Sequence, residues 1–279
     1  SPFLGLMAAA LVFAAIFASS PASAQGAGDL VVSPTRVVLE GRTRSAQLSL
    51  VNKGSETATY RITVINMRMS PDGSMTEIAS PDAGQDFAEE LFRYSPRQVT
   101  LEPGASQAIR LLLRLPKDLP DGEYRSHMMM RAVPKTIGQS VEQPVGNGAT
   151  VQLIPVFGIA VPIIVRHGKV DYSMGLSDLK FVPAANKDEL NKVRFNLTRT
   201  GNRSSYGDLT ATVTAGGKEL VLSQIMRLAV YTPNPNRIVE MALRIPDGVQ
   251  LSGNTLKVEY KSIPEEGGKV LAEQSIVLP

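Results

Sequence analysis

The chain predicts an all-β protein made of two β-sandwich domains in tandem, and three observations carry that reading. Short stretches of alternating apolar and polar residues recur along it, each bounded by Gly, Pro, Asn or Ser. About 250 residues follow the first apolar segment, too many for a single sandwich and natural for two domains. A weak internal repeat pairs Ile109-Arg110-Leu111-Leu112-Leu113-Arg114-Leu115-Pro116 with Val239-Glu240-Met241-Ala242-Leu243-Arg244-Ile245-Pro246, and a Pro-Asp-Gly turn follows each copy.

Taken in order, residues 1–24 carry no charge and end on Ala22-Ser23-Ala24. A small-residue end after an apolar run is the mark of a secretory signal, so cleavage is expected before Gln25 and the mature protein is expected to be exported. Next comes Val31-Val32-Ser33-Pro34-Thr35-Arg36-Val37-Val38-Leu39, an apolar β-pattern interrupted by one arginine. A guanidinium is always charged and offers five donors in a fixed fork suited to a carboxylate. On local sequence alone, a solvated arginine on an edge strand is the favoured reading of Arg36.

Ala46 to Val51 and Tyr60 to Val64 alternate as half-buried strands do. Ile109, Leu111 and Leu113 share one face, opposite Arg110 and Arg114. Tyr124, Ser126, Met128 and Met130 share another, and Glu123, Arg125, His127 and Arg131 then fall on an outer face expected to be solvated. The best helix candidate runs from Asp86 to Phe92, too short to change the class. Thr150 to Val165 reads as one strand of unusual length or as two strands joined at Pro155 or Pro162. A single long apolar edge invites a partner to cover it. The domain boundary is expected at Arg166-His167-Gly168-Lys169, giving residues 29–166 and 169–279.

Several function classes lack the residues they need. The chain has no cysteine and two histidines, so thiolate metal sites and Ser/His/Asp arrangements have little material. No nucleophile elbow, phosphate-binding loop or H-E-x-x-H motif occurs. A net charge of +3 does not suggest nucleic acid as a partner. The expectation is a protein that is not an enzyme and needs neither cofactor nor metal.

Three ordered segments resemble the PapD-like periplasmic chaperones of pilus assembly. They are Thr35 to Gly41 with Ala46 to Asn52, then Ser95 to Gly104 running into Gln107 to Arg110, then Asp121 to Tyr124 through Met130 to Pro134. Together they span most of residues 30–166, while the second half matches in size and sandwich pattern only. The resemblance implies two Ig-like domains set at an angle around a cleft. It implies a periplasmic chaperone that caps a pilin or other surface-fibre subunit by β-strand donation, without ATP, and delivers it to an outer-membrane usher. It places Arg36 as the anchor for the subunit's terminal carboxylate. Val151, Leu153, Phe157 and Ile159 fall on the donor strand, and Arg110 with Glu123 on a structural ion pair. A self-capping homodimer is a further expectation for the free protein.

The sequence departs from the family pattern where a lysine is expected late in the donor strand and Pro162 stands instead, leaving Arg166 or Lys169 to compensate. Residues 135–149, rich in Gly and Gln, suit a loop that orders when a subunit binds. The missing lysine and the prolines also motivate an alternative, a structural or adhesive Ig-like protein of the cell envelope.

Overall fold

The computed structural model describes residues 30–134, 141–145, 149–153 and 156–279, with side chains in 30–134 and 156–279. The expected signal segment and the side chains of Val151 and Leu153 lie outside the described residues.

Thirteen strands precede the second sandwich: β1 (Leu30–Ser33), β2 (Val37–Leu39), β3 (Ser45–Asn52), β4 (Ala58–Ile65), β5 (Met67–Met69), β6 (Met75–Glu77), β7 (Phe92–Ser95), β8 (Gln98–Leu101), β9 (Ser106–Leu113), β10 (Gly122–Ala132), β11 (Val141–Val145), β12 (Ala149–Leu153) and β13 (Gly158–His167). One sheet runs β1-β3-β9-β7 and the other β2-β13-β10-β4-β8. With the main strands lettered in chain order, the first sheet is A-B-E-D and the second carries C, F and G, which is the immunoglobulin arrangement. Alternation brings Leu48, Leu50, Ile109 and Leu111 from one sheet against Ile62, Met128, Met130 and Ile163 from the other.

The second sandwich contains β14 (Tyr172–Val182), β15 (Lys192–Gly201), β16 (Ser205–Ala215), β17 (Lys218–Val230), β18 (Asn236–Ala242), β19 (Thr255–Ser262) and β20 (Val270–Val277). Its sheets run β14-β15-β18 and β17-β16-β19-β20, so the fourth strand joins the sheet opposite the one it joins in the first sandwich. Val193, Phe195, Leu197, Leu209, Val213, Val258 and Tyr260 fill its core. The protein is therefore all-β, two Ig-like sandwiches in tandem, with one 3-10 turn among the described residues, at Pro264–Glu266.

One sequence expectation needs correcting. Asp86 to Phe92 forms no helix. The sheet partner β4 ends at Ile65, opposite His127, and so leaves the start of β10 without a strand neighbour on that side. The Asp86 segment fills that gap: Asp86 bridges Tyr124, and its carbonyl accepts a hydrogen bond from the Arg125 N–H at 2.9 Å. Local helix propensity yields to open backbone groups that need partners. Of the two readings of Thr150 to Val165, the structure shows the two-strand one. The strand β12 pairs with β11 as a hairpin, while β13 starts afresh at Gly158 and includes Pro162.

The strand β13 pairs with β10 along its length but with β2 only over Ile163–Val165, in parallel. Among the described residues, the other side of Gly158–Pro162 has no strand neighbour. Val156 and Phe157, just before it, are exposed.

The hairpin of β5 and β6 leaves the first sandwich and touches the second. The Met69 carbonyl accepts a hydrogen bond from Asn234 Nδ2 at 2.8 Å, and the Pro71 carbonyl accepts one from the Ile238 N–H at 2.7 Å. At the hairpin tip Gly73 has φ +87°, and a side chain there would overlap the Arg237 guanidinium. Gly104 has a similar φ of +76° with open space around it. Gly104→Ala is expected to cost about 1–3 kcal/mol from the left-handed backbone alone. Gly73→Ala should cost measurably more in urea unfolding, because it also displaces Arg237. Equal losses would show that the hairpin tip does not brace the second sandwich.

Candidate functional site: the seam between the sandwiches

Seven consecutive residues of β10, Gly122 to Met128, are buried. An alternating strand with both faces covered needs a second layer outside its own sandwich. Tyr124 and Met128 enter the first core, while Glu123, Arg125 and His127 face the second sandwich. Register sets their neighbours. Glu123 lies opposite Arg166, Arg125 opposite Ile164, and His127 opposite Pro162, while Val37 and Val38 run beside Ile163 and Ile164. Arg36 enters this face just before β2, level with Pro162. Ile164, Met69, Ala229 and Tyr231 form a small apolar cluster across the seam, with Val38 and Tyr206 packed on it.

At one end of the seam a carboxylate is locked in place. Glu123 Oε2 accepts hydrogen bonds from Arg166 Nε at 2.9 Å and from the Ser204 N–H at 3.2 Å, and Oε1 accepts one from the Ser204 hydroxyl. Ser204 Oγ in turn accepts the Thr232 N–H at 2.9 Å. Arg166 also donates to Glu40 at 3.0 Å. The carboxylates of Glu123 and Glu40 hold the Arg166 guanidinium above its ordinary value against the opposing effect of burial.

At the other end the arginines are poorly matched. Arg36 lies over the Tyr206 ring, 4.0 Å from its centre, and 5.8 Å from that of Tyr231. Both terminal nitrogens of Arg36 are buried without a hydrogen-bond partner among the described residues. Arg125 lies 4.3 Å from the Tyr231 ring centre on the same side of the seam. His127 meets Tyr231 edge-on, with ring centres 6.5 Å apart, and its Nδ1 also lacks a partner among the described residues. Burial first, and then Arg125 beside it, push His127 down from 6.5 to about 3.

Each residue singled out in the sequence can now be placed. Arg36 lies in the seam between the sandwiches. Phe157 is exposed, and Ile159 is half-buried against the first core. Arg110 and Glu123 are not a pair. Arg110 is an exposed residue of β9, in the sheet on the far side of the sandwich, and Arg166 is the partner of Glu123. Spacing along the chain does not say which sheet a strand joins. Arg125 and His127, expected on a solvated face, are 2% and 4% exposed because the second sandwich covers that face. Their signal was available in part, since an arginine and a histidine on the same parity as Glu123 share whatever covers it. Among the described residues no three His, Asp or Glu side chains gather where they could hold a metal ion.

Compared with solved structures, the chain is similar to the YadV chaperone, with 17% identity over 90% of this chain and 100% of that chain and a TM-score of 0.44. It is similar to the Salmonella enterica SafA pilin in complex with the SafB chaperone, with 20% identity over 91% of this chain and 98% of that one and a TM-score of 0.41. A third likeness is to the CsuC–CsuE chaperone–tip adhesion subunit pre-assembly complex of Acinetobacter baumannii, with 12% identity, coverages of 88% and 96%, and a TM-score of 0.44. Scans against protein-family models and against curated proteins found no match.

Two measurements probe the seam. Glu123→Leu leaves Arg166 buried with only the more exposed carboxylates of Glu40 and Glu266 beside it, at 3.0 and 3.9 Å, and should cost about 3–5 kcal/mol in chemical unfolding. The double change with Arg166→Met should recover most of that loss. His127 supplies the pH dependence: the folded protein holds it neutral, whereas the unfolded chain takes up a proton near pH 6.5. Stability is therefore lost as pH falls from 6.5 towards 3, by up to about 1.4 kcal/mol per unit from this group. His127→Phe should flatten that window, and an unchanged slope would place the acid sensitivity elsewhere.

Proposed function

We propose that this chain is a periplasmic chaperone, a divergent member of the PapD-like family, which captures a pilin or related surface-fibre subunit by β-strand donation. The observation that carries the reading is Arg36. Its two terminal nitrogens are buried between the sandwiches and lack a hydrogen-bond partner among the described residues. A desolvated fork of this kind matches a carboxylate in shape and charge, and the carboxylate in this reading is the subunit's chain terminus.

The open side of Gly158–Pro162 supports the second half of the reading. An extended segment can add there by main-chain hydrogen bonds, with alternating side chains filling pockets of the partner. Phe157 is already exposed at its start. Val151, Leu153 and Ile159 extend the same donor segment in this reading, and each apolar side chain fully buried contributes about 1.5–3 kcal/mol. Capture of this kind exchanges one edge contact for another and needs no nucleotide. An outer-membrane usher would receive the loaded complex, and a second copy of the chain would cap the open edge between subunits.

The test is a pull-down of the tagged mature protein from periplasm with mass spectrometry, alongside Arg36→Ala and Leu153→Asp. A small β-rich exported subunit recovered with the wild type and lost with both variants is the expected result. A chain found outside the cell with no such partner would instead be an Ig-like structural or adhesive envelope protein.

A further inference from the structure

The most deeply buried arginine of the seam is Arg125. It is 2% exposed, yet its Nε and Nη1 have no hydrogen-bond partner among the described residues. Nη2 reaches only the Thr232 carbonyl, at 3.4 Å, the outer limit of a useful bond. The fold satisfies a buried arginine elsewhere. Arg199, also buried, donates to the carbonyls of Asn234, Gly201 and Arg203 at 3.1, 2.8 and 3.0 Å. Glu123 acts on Arg125 only through space and gives it no hydrogen bond, because both its oxygens are engaged by Arg166 and Ser204. A ring face attracts a cation but does not supply acceptors for the fork's in-plane N–H groups.

Arg36 and Arg125 flank the same ring, at 5.8 and 4.3 Å from the centre of Tyr231. Arg36 is level with Pro162, and Arg125 is opposite Ile164, on the same face of the sheet and two residues further along β13. Two like charges are thus held close together out of water, with at least four nitrogens unpartnered among the described residues. Such an arrangement is costly without a counter-anion.

We propose that Arg125 is the second cation of the carboxylate site that Arg36 opens, the two forks closing on one chain-terminal carboxylate against Tyr231. The inference rests on the strand-donation reading and names the residue that completes its anchor. Each fork offers one carboxylate oxygen its free N–H groups, so the pair recognises a terminus and discriminates against the same peptide ending in an amide. In the free protein Arg125 is a destabilising residue kept for binding.

That last point separates a binding role from a structural one. The probe is an acetylated peptide of alternating Val and Thr with a free C-terminus, compared with its C-terminal amide and with an amide carrying an internal Asp. Binding is measured by calorimetry on the mature full-length chain. The wild type should bind the free-carboxylate peptide roughly tenfold or more tighter than the amide, with the internal-Asp peptide close to the amide. Arg125→Leu should bring that ratio to near one while raising the unfolding temperature of the free protein, and Arg125→Lys should restore part of the ratio.

An unchanged ratio in Arg125→Leu, or a lowered unfolding temperature, would overturn the inference. So would an internal-Asp peptide that binds as well as the free terminus, since the site would then take any carboxylate. A ratio that collapses only in Arg36→Leu would also overturn it, yet leave the strand-donation reading standing. A wild type that binds no peptide and recovers no subunit would overturn both.

Discussion

The Glu123 carboxylate is the interaction on which the geometry of the seam depends. It is a buried charge, and a buried charge persists only when its hydrogen-bonding capacity is met. Arg166 meets part of that need from directly across the strand pair, and Ser204 meets the rest from the second sandwich. Ser204 then accepts the Thr232 N–H, one residue beyond Tyr231. A carboxylate in the first sandwich therefore fixes where the second presents Tyr231, and Tyr231 carries both Arg36 and Arg125. The satisfied charge at one end of the seam positions the unsatisfied charges at the other.

Much of the fold was legible in the residues, for physical reasons. Period-two alternation reports a sheet with one face in a core, and Leu48, Leu50, Ile109, Leu111, Met128 and Met130 all lie where it puts them. Arg36 stood out because a permanent charge inside an apolar run demands an explanation. What alternation does not report is the covering of the second face. Arg125 and His127 have the outward parity of solvated residues, and only the docking of another sandwich buries them. Arg110 failed for a related reason: its strand belongs to the opposite sheet, a property of topology that its neighbours in sequence do not encode. Asp86 to Phe92 was misread because a gap beside β10 determines its conformation more than its own propensity does.

The two histidines show how far surroundings separate identical chemistry. His127 is held neutral in the seam, under the combined influence of burial and Arg125. His167 closes β13 opposite Gly122, at the exit from the first sandwich. His127 couples the seam to acidity, through burial first and then through the same crowding of positive charge that leaves the arginines short of anions.

The β5–β6 hairpin has a consequence for how such a protein diversifies. Its tip grips the second sandwich through the Met69 and Pro71 carbonyls, on residues close in sequence to Tyr231. A change of one residue in the hairpin would shift Tyr231 beside the arginines while leaving both guanidiniums unaltered. The hairpin is thus an adjusting screw set beside the arginines, through which selection can retune the seam while its charged groups stay constant.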